Sequence, residues 1–210
     1  MPSDHALFAA VYDRATAPAE RAGLADRRRR LLAGATGRVL EIGGGTGANL
    51  VHYPDGLESV VVLEPDGAMR ERLLEKVPTA SAPVEVHEAA IEDASLPSDA
   101  FDTVISTLTL CTVPNLDVAL ASISRVLAPG GRLLFIEHVR APGLQGVLQR
   151  ASSPVWTRVA AGCHPDRDIL AAMRANGFAV TDLDRFRIRL MVNPLIGVAV
   201  QGTARVEIRP

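Results

Sequence analysis

Residues 39–49 read VLEIGGGTGAN, a short apolar run that leads directly into a cluster of glycines. Glycine lets the backbone turn sharply and lets a ligand approach bare N–H groups. A helix that begins near Thr46 would add unpaired N–H groups and the positive end of its dipole at the same place. The stretch therefore predicts a β-strand, a ligand-binding turn and a helix.

Short β-branched runs and helical stretches alternate downstream of this loop. Further helices are predicted to begin near Asp66, Pro114 and Pro165, and strands at residues 39–42, 59–63, 84–87, 101–106 and 132–137. Residues 178–189 and 196–208 predict an antiparallel pair at one edge. Alternating strands and helices indicate a Rossmann-like α/β fold, with a mostly parallel sheet and helices on both faces.

Residues 1–36 precede the first strand and predict an N-terminal helical cap. Pro18 separates a short helix at residues 4–14 from a longer one at residues 19–33. The basic run at residues 27–30 admits two interpretations, a phosphate-binding patch or a solvated helix face near the end of the helix. The solvated face is favoured, because cations at a helix C-terminus are common and stabilising.

The composition bounds the class of protein. The chain has 210 residues, 48% hydrophobic and 22% charged, which suits one soluble domain. A net charge of -2 and an aromatic content of 4% give no indication of nucleic-acid binding. The widely spaced Cys111 and Cys163 predict no disulfide framework and no metal site. We expect a cytoplasmic monomer or homodimer, since the sequence shows no signal-peptide pattern and no apolar run of the roughly 18 residues that a transmembrane segment needs.

The glycine spacing by itself fits two kinds of cofactor. Gly43, Gly45 and Gly47 give the G-x-G-x-G of S-adenosylmethionine (SAM) enzymes, whereas Gly43, Gly45 and Ala48 satisfy the dinucleotide fingerprint. Glu41 favours SAM, because a buried carboxylate needs a partner, attracts the ammonium group of SAM and repels a pyrophosphate. A structural salt bridge is the alternative role for Glu41.

Two further segments predict a nucleoside site. Glu64, followed by Pro65, ends the second predicted strand about 20 residues past the glycines, where an acid binds ribose hydroxyls in either cofactor class. Ala90, Ile91 and Glu92 follow the third strand and predict an adenine pocket, with Ile91 on the ring face and Glu92 at its edge. An ordinary surface loop is the alternative interpretation of that segment.

Taken together, these motifs resemble those of a known family. EIGGGTG at residues 41–47 resembles motif I of class I SAM-dependent methyltransferases, and Glu64 matches the acid of motif II. FDTVIS at residues 101–106 resembles the fourth-strand motif, and RVLAPGG at residues 125–131 resembles the turn before strand five. The resemblance implies a seven-stranded sheet with an antiparallel last strand, and an active site at the carboxyl ends of the strands.

Other segments resemble a methyltransferase-like group that includes the mammalian alkyl-thiol methyltransferases. They are Asn49, HYP at 52–54, TLTLC at 107–111, EHV at 137–139, Trp156 and GC at 162–163. This resemblance implies that Asn49 contacts the cofactor, that Thr107 lies beside the sulfonium, and that Tyr12 in the N-terminal cap closes over the cofactor. The mammalian members carry an N-terminal membrane segment, and this sequence departs from them there.

Residues 139–165 predict an insertion on the acceptor side of the site. Its apolar residues predict a helix that roofs an acceptor pocket, with packing onto the sheet as the alternative; they are Leu144, Val147, Leu148, Val155, Trp156 and Val159. His138 and His164 are candidate catalytic bases, and a structural role is the alternative for both. We expect Asp166 to cap the next helix, and Cys111 to be a small buried residue rather than a nucleophile.

The sequence thus predicts a SAM-dependent methyltransferase with a small-molecule acceptor. A thiol is favoured by the resemblance, and it attacks as a thiolate with little need for base catalysis. Oxygen and nitrogen acceptors, including a phospholipid headgroup, stay open, as do an NAD(P)-dependent oxidoreductase and a SAM-binding protein without catalysis. Methylation of amide nitrogen is disfavoured, because residues 106–109 read STLT where such enzymes carry an Asn-Pro-Pro-Tyr motif.

Overall fold

The sheet that the alternating pattern predicts is present. A computed structural model describes residues 6–190 and 196–207, and a seven-stranded sheet lies at its centre. The strands are β1 (Arg38–Ile42), β2 (Ser59–Leu63), β3 (Val84–His87), β4 (Phe101–Thr107), β5 (Leu127–His138), β6 (Phe178–Arg187) and β7 (Val198–Val206). Their order across the sheet is β3-β2-β1-β4-β5-β7-β6.

The direction of the strands confirms the predicted fold class. Strands β1 to β5 pair in parallel, and β7 pairs antiparallel with both β5 and β6. The chain order runs outward in one direction from β1 to β3 and then resumes on the other side of β1 with β4. This reversal opens a crevice at the carboxyl ends of β1 and β4, where open α/β sheets bind ligands.

Helices cover both faces of the sheet. They are α1 (Ala6–Ala19), α2 (Ala25–Leu32), α3 (Gly67–Lys76), α4 (Leu116–Val126), α5 (Gly143–Val159) and α6 (Ile169–Ala175). Leu32 of α2 and Leu73 of α3 belong to the apolar core on one face, and Ile123 of α4 and Met173 of α6 belong to the core on the other. Within the described ranges, no helix is both long enough and apolar enough to cross a membrane.

The prediction of an α-helix from Thr46 is wrong. Residues 46–49 form turns, and only a single 3-10 turn follows them. Gly47 has a φ of 80°, in the left-handed region that a right-handed helix excludes. Pro54 then holds the preceding Tyr53 in an extended conformation, so too few residues remain between these two positions for an α-helix.

Pro18 does not separate the two N-terminal helices, because it lies inside α1 near its end. The chain continues through a wider π-helical segment, Glu20–Leu24, before α2 begins. The break in the helix occurs at Gly23, whose φ of 124° is open to glycine and strained for other residues. The first two residues of the predicted helix at 4–14 lie outside the described residues.

Helices α4 and α6 begin a few residues after Pro114 and Pro165, near which they were predicted to begin, because side-chain caps fix their first residues. Asn115 accepts hydrogen bonds from two backbone N–H groups at the start of α4. Asp168 caps α6 by accepting the N–H of Ala171 at 3.1 Å. Asp166, the predicted cap, instead accepts the hydroxyl of Ser153 at 2.6 Å.

The limits of β5, β6 and β7 differ most from the prediction, and β1 and β4 are each one residue longer than predicted. β5 begins at Leu127 rather than at residue 132, because Leu127 pairs with Phe101 ahead of the irregular turn that follows. β6 ends at Arg187 and β7 at Val206, so both are shorter than the predicted pair. Residue 208, the predicted end of the last strand, lies outside the described residues.

Candidate active site

A cavity of about 930 Å³ opens at the carboxyl ends of the parallel strands. The loops that follow β1, β2, β3 and β4 line its base. One wall is formed by α1, α2 and the segment between them, and the other by the end of α5 and the loop that follows it. This is the edge of the sheet at which we expected the active site.

The glycines after β1 have distinct geometric roles. Gly43, Gly45 and Gly47 have φ angles of 62°, 55° and 80°, which side chains other than glycine rarely adopt. A Cβ atom at Gly43 would lie 2.4 Å from Cγ2 of Thr109, so this glycine lets two loops approach closely. A Cβ atom at Gly45 would meet nothing within 4 Å, so this glycine leaves space for a ligand.

Glu41 is a buried carboxylate at the wall of the cavity. It is 3% exposed, and it accepts hydrogen bonds from the hydroxyl of Tyr53 and, at 2.9 Å, from Nδ2 of Asn49. Burial raises the pKa of Glu41 to about 7, although the bonds from Tyr53 and Asn49 and the nearby Arg28 act in the lowering direction. Glu41 therefore has internal partners and still faces the cavity.

Arg28 lies inside the site, which corrects the solvated-face interpretation of the basic run. Its side chain is buried, and Nη1 donates to Oδ1 of Asn49 at 3.0 Å and to Oγ1 of Thr107 at 2.9 Å. Its Nε donates to Glu20 at 3.1 Å. The cavity thus holds a fixed cation close to the Glu41 carboxylate.

The burial of Arg28 could have been predicted from the spacing of neighbouring apolar residues, but the run of four arginines favoured a solvated face instead. Leu24 and Leu31 are buried and lie four residues before and three residues after Arg28, which places all three on one face of the helix. The neighbouring Arg29 pairs with Asp26 and its side chain is 64% exposed, so the solvated interpretation applies to Arg29. The helical spacing of Arg28 from two apolar residues is the sequence feature that distinguishes it from the exposed arginines of the run.

Glu64 is held in place by backbone N–H groups. Gly45 donates to one carboxylate oxygen at 2.7 Å, and Asp66 donates to the other at 2.9 Å. Burial is the largest influence on Glu64 and raises its pKa. Pro65 follows and also lines the cavity. The cap of α3 is Asp66, which accepts the N–H of Met69, so Glu64 is available to a ligand.

The segment after β3, which the sequence predicts to form an adenine pocket, borders the cavity. Ala90, Ile91 and Glu92 all line the cavity, and Ile91 is buried in the core. Both carboxylate oxygens of Glu92 are buried and have no hydrogen-bond partner among the residues that the structure describes. A buried acid of this kind calls for a donor from a ligand, which an exocyclic amino group would supply.

Helix α1 packs across the glycine loop. Tyr12 lines the cavity, and its burial raises its pKa. The adjacent Asp13 accepts the hydroxyl of Thr46 at 2.5 Å and pairs with Lys76 of α3 at 2.8 Å. These contacts hold the N-terminal helix against the loop, where a bound cofactor would lie beneath it.

The two predicted catalytic histidines have different surroundings. His138 ends β5, lines the cavity and is buried, and its Nδ1 lies 3.6 Å from the Sγ atoms of both Cys111 and Cys163. His164 is not among the residues that line the cavity, and its backbone N–H donates to the carbonyl oxygen of Cys111 at 2.7 Å. The structure therefore brings His138 to the site, and with it two cysteines that we had not expected to meet.

Helix α5 contributes to the cavity only through its last turns. Trp156 and Val159 line the cavity, but four of the six predicted roof residues are exposed and do not line it, namely Leu144, Val147, Leu148 and Val155. The helix instead buries a face of small and polar residues, Gly146, Gln149 and Ser153. Gln149 anchors this face by accepting the N–H of Ala141 at 2.7 Å, so the apolar residues turn outward.

Comparison with known proteins assigns the family. Residues 40–135 match a family model described as a methyltransferase domain. The human thiol S-methyltransferase TMT1A is 31% identical over 187 residues, which cover 80% of this chain and 73% of the relative. The chain belongs to the SAM-dependent methyltransferase family.

Other comparisons agree with this family membership. The rat thiol S-methyltransferase TMT1B is 33% identical over 152 residues, which cover 70% of this chain and 62% of the relative. The matched region thus spans less than two thirds of that relative. The N-methyltransferase NodS from Bradyrhizobium japonicum, solved with S-adenosylhomocysteine, superposes with a TM-score of 0.67 at 16% identity, covering 90% of this chain and 88% of NodS. A likeness at that identity concerns the fold.

SAM is the cofactor of this family member, and the residues present fit it. Glu92, whose carboxylate has no partner among the described residues, suits an amino group of adenine. Glu41 and Arg28, which both line the cavity, suit a ligand end that carries both an ammonium and a carboxylate. A pyrophosphate would meet Glu41 beside the first glycine and be repelled. The oxidoreductase alternative is therefore set aside.

Proposed function

We propose that the protein transfers a methyl group from SAM to the sulfur of a small thiol. The observation that carries the proposal is one end of the cavity, which is lined by Trp156, His138 and Cys163, with Nδ1 of His138 3.6 Å from Sγ of Cys163. A mostly apolar cavity with a few polar groups suits a small alkyl acceptor. The similarity to proteins named thiol S-methyltransferase supports the same choice.

The amino-acid end of SAM is proposed to bind between Glu41 and Arg28. The Glu41 carboxylate attracts the ammonium group, and the Arg28 guanidinium attracts the carboxylate. Asn49 and Thr107 accept hydrogen bonds from Arg28 and hold it in this position.

The nucleoside end is proposed to follow the next two strands. Glu64 binds the ribose hydroxyls, since its oxygens are oriented by the N–H groups of Gly45 and Asp66. Pro65 lies beside the sugar. Adenine stacks on Ile91 near Ala90, and its amino group donates to Glu92, the acid whose oxygens have no partner among the described residues.

The two segments outside the sheet are proposed to divide the cavity between cofactor and acceptor. The cap, residues 1–36, covers the cofactor through Tyr12 and Arg28. The insertion, residues 139–165, shapes the acceptor side through Trp156 and Cys163. The cytoplasmic location and the monomeric or homodimeric state stay predictions.

The chemistry asks little of the protein beyond positioning. SAM supplies an electrophilic methyl group, so the chain has to place the acceptor sulfur in line with it and remove the thiol proton. His138 is proposed to take that proton, because its Nε2 is buried and has no hydrogen-bond partner within the described part of the chain. A thiol is far more acidic than an alcohol, so a weak base is enough to form the reactive thiolate.

The acceptor is tested by methyl transfer from labelled SAM with the purified chain. We expect transfer to alkyl thiols, with one S-adenosylhomocysteine formed for each methyl sulfide. Matched phenols, amines and a phospholipid headgroup serve as competing acceptors, and the pre-methylated sulfides serve as controls. Transfer to a phenol, an amine or a headgroup with none to any thiol contradicts the thiol assignment, and SAM binding without transfer to any acceptor favours a non-catalytic role.

SAM affinity is expected to rise with pH between about 5.5 and 7.5. Burial raises the pKa of Glu41 to about 7, so the acid loses its proton in this range, and only the carboxylate attracts an ammonium. The free protein behaves in the opposite direction: a raised pKa means that stability falls as pH rises from 4.5 towards 7. Calorimetric titrations at several pH values measure the affinity.

The control for this pH dependence is Glu41→Gln, which keeps the shape of the side chain and removes the titrating group. Its SAM affinity is expected to be low and nearly independent of pH. 5′-Methylthioadenosine, which lacks the amino-acid end, is expected to bind with little pH dependence to either protein. An equal pH slope for both ligands in the unmodified protein would refute the placement of the ammonium at Glu41.

A further inference from the structure

Three metal-ligating side chains from distant parts of the sequence meet at the acceptor end of the cavity. Cys111 lies in the loop after β4, His138 ends β5, and Cys163 follows α5. The Sγ atoms are 3.8 Å apart, and each lies 3.6 Å from Nδ1 of His138. All three residues are buried, and their ligand atoms lie within 4.8 Å of one another.

These distances match one face of a zinc coordination tetrahedron. With Zn–S bonds of about 2.3 Å and Zn–N bonds of about 2.05 Å, tetrahedral angles place two sulfurs about 3.8 Å apart and a sulfur and a nitrogen about 3.6 Å apart. We propose that Cys111, His138 and Cys163 bind a Zn²⁺ ion through Sγ, Nδ1 and Sγ. Two thiolates and an imidazole favour zinc over magnesium or calcium, which prefer oxygen ligands.

The backbone around the cluster is fixed, as a metal site requires. Glu137 accepts the N–H groups of Leu110 and Cys111 at 3.0 and 3.2 Å, which holds the loop after β4. The N–H of His164 donates to the carbonyl oxygen of Cys111 at 2.7 Å, which ties the loop after α5 to the same place. The two cysteines are therefore positioned by main-chain contacts and do not meet by side-chain flexibility alone.

Metal binding by the two cysteines involves their thiolate forms. Each thiol therefore releases its proton when its sulfur coordinates the ion, and a site with two cysteine ligands binds metal more tightly as the pH rises.

Three protein ligands leave a fourth position, as in catalytic zinc sites. His138 and Cys163 line the cavity, so the fourth ligand comes from the acceptor side. This part rests on the proposed function: the acceptor thiol would coordinate as a thiolate and lose its proton to solvent. His138 bound through Nδ1 keeps its hydrogen on Nε2, so in the zinc form the metal and not His138 promotes ionisation of the thiol.

Metal binding by the whole, reduced chain tests the site directly. After removal of metals with a chelator, Zn²⁺ is added in competition with a chromophoric indicator, and Co²⁺ is added in a parallel titration. We expect about one ion per chain. We also expect the visible absorption of tetrahedral Co²⁺ together with near-ultraviolet thiolate-to-cobalt bands. No stoichiometric binding of Zn²⁺, or octahedral Co²⁺ absorption, would overturn the proposal.

Single variants assign the ligands. Cys111→Ser, Cys163→Ser and His138→Asn are each expected to weaken Zn²⁺ binding at least about tenfold, because loss of a ligand should exceed the effect of losing an outer hydrogen-bond partner. His87→Asn, on the edge strand β3, is the matched control and should leave zinc affinity unchanged. Circular dichroism and SAM affinity show whether each variant is folded. Unchanged zinc affinity in folded ligand variants contradicts the assignment.

Adding an acceptor thiol to the metal-loaded protein distinguishes the zinc proposal from the proposed function. An alkyl thiol added to the Co²⁺ form is expected to increase the thiolate-to-cobalt absorption, and the corresponding methyl sulfide is not. Zinc binding with no methyl transfer to thiols would refute the proposed function and leave the metal site standing. Methyl transfer to thiols by a chain that binds no zinc would refute the metal site and leave the proposed function standing.

Discussion

Replacing Glu137 with alanine is expected to lower the free energy of unfolding by about 4 kcal/mol or more. The buried carboxylate accepts the hydroxyl of Ser106 at 2.5 Å and the N–H groups of Thr109, Leu110 and Cys111 at 3.1, 3.0 and 3.2 Å. Without it, two buried backbone donors and one partly buried donor lose their acceptor, and each unsatisfied buried donor costs about 1–3 kcal/mol. Such a loss is a large part of the about 5–15 kcal/mol that stabilises a typical domain.

Urea unfolding followed by far-ultraviolet circular dichroism measures this loss. Glu137→Gln keeps one carbonyl oxygen as an acceptor, so its loss should be smaller than that of the alanine variant. Glu75→Ala, at an exposed position of α3, is the surface control and should unfold like the unmodified protein. Equal unfolding midpoints for Glu137→Ala and Glu75→Ala would show that the carboxylate does not organise the loop after β4.

The second large effect is expected at the amino-acid end of the cofactor. Glu41→Gln and Arg28→Met should each weaken SAM binding by about 1.5–3 kcal/mol, or roughly 10- to 150-fold, because each removes a hydrogen bond to a charged group. Methionine keeps much of the length of arginine and removes its charge. The measurement is calorimetric titration with SAM and, in parallel, with 5′-methylthioadenosine.

The chain supplies a matched control for Arg28 in the next residue. Arg29→Met removes the same charge from the same helix, but its side chain is 64% exposed and pairs only with the nearby Asp26 among the described residues. Its SAM affinity should be unchanged. If Arg28→Met loses SAM and methylthioadenosine affinity in equal proportion, then Arg28 supports the whole cavity and does not bind the carboxylate of the cofactor.

The local motifs predicted which residues line the base of the cavity, because strand–loop units carry their geometry in adjacent residues. Gly43 and Gly45 take the positive φ angles that the glycine cluster indicates, and Glu41 and Glu64 line the cavity at the ends of β1 and β2. The helix after the loop was the error here. Gly47 is left-handed and Pro54 follows shortly after it, so no α-helix fits between them. The prediction gave the glycine-loop pattern more weight than these two residues.

The acceptor end could not be predicted from spacing in the sequence. Cys111 and Cys163 are 52 residues apart in the sequence. They meet because the loop after β4 and the loop after α5 converge at the end of β5, where His138 lies. Arg28 is another long-range case, since its partner Thr107 lies 79 residues away. Such contacts depend on the order of strands across the sheet, and local periodicity contains no information about that order.

The buried state of Glu41 has a thermodynamic consequence for every titration of this protein. With a pKa of about 7, the acid carries on average about half a proton in the ligand-free protein at neutral pH. An arriving ammonium ion would expel that fraction into the buffer. The heat of complex formation would then include the ionisation enthalpy of the buffer, and two buffers of different enthalpy would report how many protons leave.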